Sequence, residues 1–166
     1  MAELQAFVQT VLSLKTASWI FWRNDMPKMT QDECKRFLAE GARTAKLGTT
    51  RKDGSPHVVP VWYEIDGETL VFTTWHASVK ALNMRRDPRV CICIDDETPP
   101  FNYVRIEGRA EMSSDAEELK NWATRIGGKY MGNDQAEKYG KRNAVEGELV
   151  VRISITKMTG IKDVAA

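Results

Sequence analysis

The sequence predicts a mainly β domain, six antiparallel strands curled into a small barrel, closed or split, with helices at its edges. Three observations carry that reading. Two Asp-Gly pairs, Asp53-Gly54 and Asp66-Gly67, stand between β-rich runs, and this dipeptide supplies the left-handed backbone that tight antiparallel hairpins need. The run from Glu148 to Thr156 alternates Leu149, Val151, Ile153 and Ile155 against Val150, Arg152, Ser154 and Thr156, the period-2 pattern of a half-buried strand. The helical stretches are few, and two of them carry start signals of their own, at Thr30 and at Ser113.

Taken in order, residues 1–25 read as a helical extension, with Leu4, Phe7, Val8, Val11, Leu12, Leu14 and Trp19 on one side, and residues 26–166 as the barrel domain. Lys15 interrupts the apolar run in the extension and no basic stretch precedes it. It is also shorter than the roughly 20 residues a bilayer span requires, so neither a signal peptide nor a transmembrane helix is expected. Thr30-Gln-Asp-Glu33 is a capping box that opens a helix to about Glu40, where Gly41 stops it.

Strands are expected over Arg43 to Thr50, Pro56 to Ile65 and Thr69 to Thr74, a short helix over Ala77 to Arg86, and strands again over Arg89 to Asp95 and Phe101 to Met112. Ser113 to Glu118 starts a helix that carries Leu119, Trp122, Ala123, Ile126 and Tyr130 on one face, with Gly127-Gly128 near its end. A second helical piece runs from Lys129 to Asn143 before the last strand.

The 166 residues suit one domain with a core of its own, burying roughly two-thirds of the unfolded surface. A formal charge of +1 gives no general pull toward nucleic acid or anionic membrane, so neither is expected as a partner. Cys34, Cys91 and Cys93 are an odd number without CxxC spacing. They read as small apolar residues of a reducing cytoplasm, with both sulfurs of Cys91-Ile-Cys93 on one strand face.

Covalent and metal chemistry find no support. Only His57 and His76 are available, no GxSxG elbow occurs, and no set of three or four ligands converges in the sequence. Anion binding is better founded. Thr73 and Thr74 end a strand, Ser78 and Lys80 open a helix, and Asn83, Arg85 and Arg86 follow one turn later, with Arg51 and Lys52 one hairpin away. The same residues also read as an ordinary capped helix with a solvated basic face. There is no GxGxxG and no P-loop.

Three segments carry a family resemblance: Gly48-Thr-Thr-Arg-Lys-Asp-Gly-Ser-Pro-His-Val-Val-Pro-Val-Trp62, Ser78-Val-Lys-Ala-Leu-Asn-Met-Arg-Arg-Asp-Pro-Arg-Val90, and Pro99-Pro-Phe-Asn-Tyr-Val-Arg-Ile-Glu-Gly108. With Trp122 to Met131 and Tyr139 to Asn143, the chain from Thr30 to Ile161 resembles the pyridoxamine 5'-phosphate oxidase-like split β-barrels, in the branch that uses the deazaflavin coenzyme F420. The resemblance implies a cytoplasmic homodimer with a cofactor site at the subunit interface. His57, Val58, Val59, Pro60, Val61 and Trp62 are then expected to border the ring, and Thr73, Thr74, Ser78, Lys80 and Asn83 to hold the phosphate and ribityl chain. Phe101, Asn102 and Tyr103 are expected to reach over from the second subunit.

Two functions follow from that resemblance. The first is an F420-dependent oxidoreductase that transfers hydride to a conjugated or quinone-like small molecule, with Tyr63, Tyr103 or solvent as proton donor and Arg51, Lys52, Arg85 and Arg86 facing the acidic tail of F420. FMN is the alternative cofactor, since the same cations accept its phosphate. The second is a non-catalytic barrel that stores a flavin or haem, for which His57 and His76 are the only imidazoles.

Overall fold

The computed structural model describes residues 26–165, and the helical extension expected over residues 1–25 lies outside them. The first helix, α1 (Gln31–Ala39), begins where the capping box places it: Thr30 accepts from the Glu33 N–H at 3.2 Å and Glu33 accepts from the Thr30 N–H at 2.7 Å. It buries Cys34, Phe37 and Leu38 against one end of the sheet, and Glu40 in extended conformation and Gly41 at φ +65 end it.

Seven strands form one antiparallel sheet: β1 (Ala45–Thr50), β2 (Pro56–Val61), β3 (Glu64–Asp66), β4 (Thr69–Trp75), β5 (Arg89–Asp95), β6 (Tyr103–Ser113) and β7 (Glu148–Ile161). Their order across the sheet is β2-β1-β5-β6-β7-β4-β3. Both Asp-Gly turns are present, with Gly54 at φ +86 and Gly67 at φ +61.

The run expected as one strand from Pro56 to Ile65 is two. Trp62 and Tyr63 leave the ladder, and the chain passes there from one edge of the sheet to the other. Continuity of the chain, rather than hydrogen bonds, therefore joins the edges. Among the described residues β2 pairs only with β1 and β3 only with β4, no ladder joins these two edge strands, and the barrel is split there.

The interior is filled by the inward residues of β1, β5, β6 and β7 with Leu70 and Phe72 of β4, among them Leu47, Ile92, Ile94, Val104, Ile106, Val151 and Ile153, all fully buried. Cys91 and Cys93 do share a face, but it is the outer one: Cys91 is exposed and Cys93 half-buried, so the expected apolar packing fails within one chain, and only Cys34 behaves that way.

The helix α2 (Val79–Arg86) follows β4. The long helix α3 (Ala116–Met131), capped by Asp115, lays Leu119, Trp122 and Ile126 on Val71 and Val150 on the opposite side of β4 and β7 from the main core. Arg152 ties it down through Glu118 at 2.8 Å and Asp66 at 3.0 Å.

Gly127 and Gly128 lie near the end of α3, as expected, where α4 (Ala136–Asn143) crosses: a Cβ on Gly127 would stand 2.7 Å from that of Tyr139. A single turn of 3-10 helix, Asn133–Gln135, makes the corner between α3 and α4.

β7 runs five residues past the expected Thr156, to Ile161, because a bulge at Glu107/Gly108 keeps β6 in register with it. At this bend Gly108 has Ile153 Cγ2 and the Ser154 carbonyl oxygen 2.6 and 2.7 Å from where a Cβ would stand. Because one obstacle is backbone, Gly108→Ala is expected to lower stability by about 1–3 kcal/mol. An unchanged urea midpoint would contradict this account of the bulge.

Candidate functional site

The split leaves a cleft of about 410 Å³ between the end of β2 and the end of β4, roofed by α3. Each side comes from a different stretch of chain. Pro60, Val61 and Trp62 line it from β2 and the crossover, Thr73, Thr74 and Trp75 from β4, and Lys80 from the first turn of α2. Ala123 and Ile126 of α3, Asn143 at the end of α4 and Glu148 at the start of β7 complete it.

The aromatic wall is fixed in orientation. Trp62 stacks on Tyr130 of α3 with ring centres 4.9 Å apart and planes 5° from parallel, and Tyr139 of α4 lies tilted 6.2 Å away. Such contacts add about 0.5–1.5 kcal/mol beyond area burial, enough to hold one rotamer.

The polar end is built around the start of α2. Ser78 caps the helix by accepting from the Ala81 N–H at 3.3 Å, and its hydroxyl lies 3.1 Å from that of Thr74. Two residues on, Lys80 is half-buried, and among the described residues no carboxylate comes within 4.0 Å of its Nζ. Burial pulls the Lys80 ammonium below the usual lysine range, and the charge of Glu148 partly restores it. Glu148 is pushed the other way: burial raises its carboxyl, while Lys80 and His76 hold it down. A lysine from the first turn of a helix and two threonines thus line one hollow, a donor set suited to a phosphate.

Of the residues expected to bind a cofactor, Pro60, Val61, Trp62, Thr73, Thr74 and Lys80 meet in this cleft, and Ser78 stands directly behind Thr74. The others are placed elsewhere. Asn83 is buried on the inner side of α2, donating from Nδ2 to the Thr49 hydroxyl at 3.0 Å, so it ties the helix to β1. Earlier on the edge strand, His57 has its Nδ1 3.2 Å from the Arg51 guanidinium, Val58 is 62% exposed, and Val59 packs on the main core.

Phe101, Asn102 and Tyr103 lie outside the cleft of their own chain. Phe101 is exposed at φ +62, Asn102 accepts from the Asp163 N–H at 2.8 Å beside α1, and Tyr103 opens β6.

Among the basic residues, Arg86 bonds the Thr50 carbonyl and Arg85 the His76 carbonyl, and neither lines the cleft. Tyr63, expected as a proton donor, is fully buried with its hydroxyl donated to the Leu38 carbonyl at 2.9 Å, and burial pushes its ionisation well above the usual phenol range. It cannot exchange a proton with anything in the cleft.

Sequence reasoning missed Trp75, Glu148 and the part played by α3. Trp75 and Glu148 are paired across β4 and β7 and follow from register alone. Gly147, at φ +92, lets the chain turn against the Trp75 ring just before Glu148, and its carbonyl accepts from His76 Nδ1 at 3.0 Å.

Fold and cleft together define a split-barrel protein in which a lysine and two threonines line a cleft next to a flat aromatic wall. Among solved structures, the conserved hypothetical protein Rv2991 of Mycobacterium tuberculosis superposes with a TM-score of 0.72 at 27% identity, covering 85% of this chain and 89% of that one. An F420 reductase superposes with a TM-score of 0.59 at 25% identity, covering 73% of this chain and 92% of its own. Residues 30–161 match the family described as pyridoxamine 5'-phosphate oxidase, and the chain belongs to that family. The F420H(2)-dependent biliverdin reductase of Mycobacterium tuberculosis (strain CDC 1551 / Oshkosh) is 27% identical over 134 residues, 80% of this chain and 88% of that protein.

The placement of Asn83 makes a direct prediction. Asn83→Ala removes a buried donor and leaves the Thr49 hydroxyl without it, so stability should fall by about 1–3 kcal/mol in urea titration. Anion affinity corrected for the folded fraction should stay within about twofold, a change well below the roughly tenfold that 1.4 kcal/mol represents. A large loss of affinity at unchanged stability would put Asn83 back in the site.

Proposed function

We propose that the protein is an oxidoreductase that uses the deazaflavin coenzyme F420 to reduce a conjugated or quinone-like small molecule. The observation that carries this reading is the pairing, in one cleft, of a stacked aromatic wall at Trp62 with the unpaired ammonium of Lys80 at a helix start. A planar ring with a phosphate on a short chain has that outline, and the donors present fit it. Support comes also from the F420 reductase structure and from the biliverdin reductase, whose names give both the coenzyme and a conjugated substrate.

In this reading Thr73, Thr74 and Lys80 hold the phosphate and ribityl chain, with Ser78 orienting Thr74. Pro60, Val61 and Trp62 border the ring. When bound, the deazaflavin supplies the hydride; the chain itself positions ring and substrate and keeps water from the contact between them. With Tyr63 sealed in the core, the proton that completes the reduction comes from solvent or from Tyr103 of a second copy. We infer a homodimer in which Phe101, Asn102 and Tyr103 of one copy close the cleft of the other, because their own chain leaves them outside its cleft. Its three cysteines are all free, which suits the cytoplasm. No helix among the described residues is long and apolar enough to cross a membrane.

FMN in the same cleft is the second reading, favoured by the same Lys80 and hydroxyls. Side-by-side fluorescence titration with F420 and FMN decides between them: F420 is expected to bind and FMN to bind more weakly, and the reverse order would make this a flavin enzyme. Lys80→Ala should weaken cofactor binding by roughly tenfold or more, a loss of about 1.4 kcal/mol, with the melting temperature of the empty protein nearly unchanged. Equal affinity in mutant and parent would remove Lys80 from the site.

A further inference from the structure

The cleft carries a carboxylate that phosphate binding does not explain. Glu148 opens β7 opposite Trp75 and lines the same hollow as Lys80, both side chains half-buried, yet the two do not come within 4.0 Å of each other. No residue donates a hydrogen bond to the Glu148 carboxylate among the described residues. The charged groups that act on it are Lys80 from α2 and His76 from the turn before α2. The other elements around the cleft present Pro60, Val61 and Trp62, Ala123 and Ile126, and Asn143, none of which titrates.

Glu148 is therefore a half-desolvated carboxylate whose stabilisation comes at a distance from one lysine and one imidazole. An anion seated on Lys80 cancels the lysine's field at Glu148 and adds a like charge to the same hollow. Two anionic groups sharing a small, partly dry site do not both stay ionised, and the carboxylate is the one that can accept a proton.

We propose that an anion enters this cleft together with a proton taken from solvent by Glu148, so that Glu148 makes cofactor binding proton-linked. This rests on the reading above that Lys80 receives the anionic part of the cofactor. Once protonated, the carboxyl changes from an acceptor that repels the anion into an O–H donor facing it. The burial that already raises the Glu148 carboxyl in the empty cleft works in the same direction.

The sign follows from linkage. Binding takes up a proton, so affinity is full where Glu148 is already protonated in the empty protein. It falls by up to about tenfold for each pH unit above that point, until the pH also exceeds the raised pKa of the bound state. Glu148 is thus a selectivity residue against doubly charged ligands at high pH, and Glu148→Gln, nearly isosteric and uncharged, removes the penalty.

The test is fluorescence titration of the full chain with F420 at pH 6 and pH 8, in the parent, in Glu148→Gln and in His76→Gln. The readout is the ratio of variant to parent affinity, in which ionisation of the ligand itself cancels. For Glu148→Gln the ratio of variant to parent affinity is expected to be larger at pH 8 than at pH 6, by up to about tenfold for each pH unit, whereas for His76→Gln it should not rise with pH. A flat ratio for Glu148→Gln, or a slope that disappears in His76→Gln instead, overturns the proposal.

A second arm does not depend on the coenzyme. Sulfate keeps its charge across this range, and it should raise the melting temperature of the parent more at pH 6 than at pH 8 but that of Glu148→Gln equally at both. If F420 fails to bind while sulfate shows this pattern, the choice of coenzyme is wrong and the proton linkage stands. If sulfate shows no difference between parent and variant and F420 does not bind, the linkage itself is wrong.

Discussion

The hydroxyl of Tyr130 holds the open side of the barrel in place. It accepts from the Tyr63 N–H at 3.2 Å and donates to the Arg43 carbonyl at 2.7 Å, filling the gap where a strand ladder stops. A buried backbone group left unpaired costs about 1–3 kcal/mol, so this one side chain adds to the anchoring that the buried Tyr63 ring and its bond to Leu38 already give the crossover. Burial pushes the Tyr130 phenol up to about 12, which keeps the proton that makes the bridge. Lys129, the neighbouring residue on α3, supports the same corner: its side chain is only 9% exposed, with Nζ 4.3 Å above the Tyr63 ring and 3.6 Å from Glu64. Burial pulls that ammonium below its usual range, and the carboxylate and the ring face offset the cost.

The position of the cleft follows from that seam. Because α3 pins the crossover with one face of its last turns, Trp62 is held flat against Tyr130 at the edge of the cleft. Because β2 and β4 do not pair, the ends of both strands reach into the same space, and α2, which starts three residues after β4, points its first turn there as well. A barrel closed by hydrogen bonds between β2 and β4 would have no such hollow. One topological decision, to cross between sheet edges through two aromatic residues instead of pairing the edges, therefore gives both the aromatic wall and the hollow that Lys80 lines.

How much of this was legible in the sequence depends on how local the cause is. The Asp-Gly turns, the capping box at Thr30 and the alternation of β7 are fixed by neighbours within a few residues, and the elements they predict are present. That Thr73, Thr74 and Lys80 lie close together was legible for the same reason, since a strand end and a helix start adjoin there, whereas Trp62 was expected only through the family resemblance. Glu148 was not: nothing near it marks it as a site residue, and it faces Lys80 only because β7 pairs with β4 in one particular register. Asn83 shows the same limit from the other side. Helical spacing puts it one turn beyond Lys80, but that turn faces Thr49 and the barrel interior. The break at Trp62 was hidden because both residues have high β propensity, and tertiary contact with Tyr130 overrode it.

The same inventory decides what kind of chemistry the cleft can host. His76 is engaged by the Gly147 carbonyl, His57 lies beside Arg51 on the edge strand, and Tyr63 is locked on Leu38. Cys34 is in the core, and Cys91 and Cys93 are on the outer face of β5. Among the described residues no cluster of three or more His, Cys, Asp or Glu could hold a metal ion. What faces the hollow is a half-buried lysine with a carboxylate in the same space, threonine hydroxyls, and a flat aromatic surface. Those groups bind and orient; none is paired with a base that would make it a nucleophile. A site built this way acts by holding a molecule that brings its own reactivity, and that is the physical sense in which this fold suits a redox coenzyme.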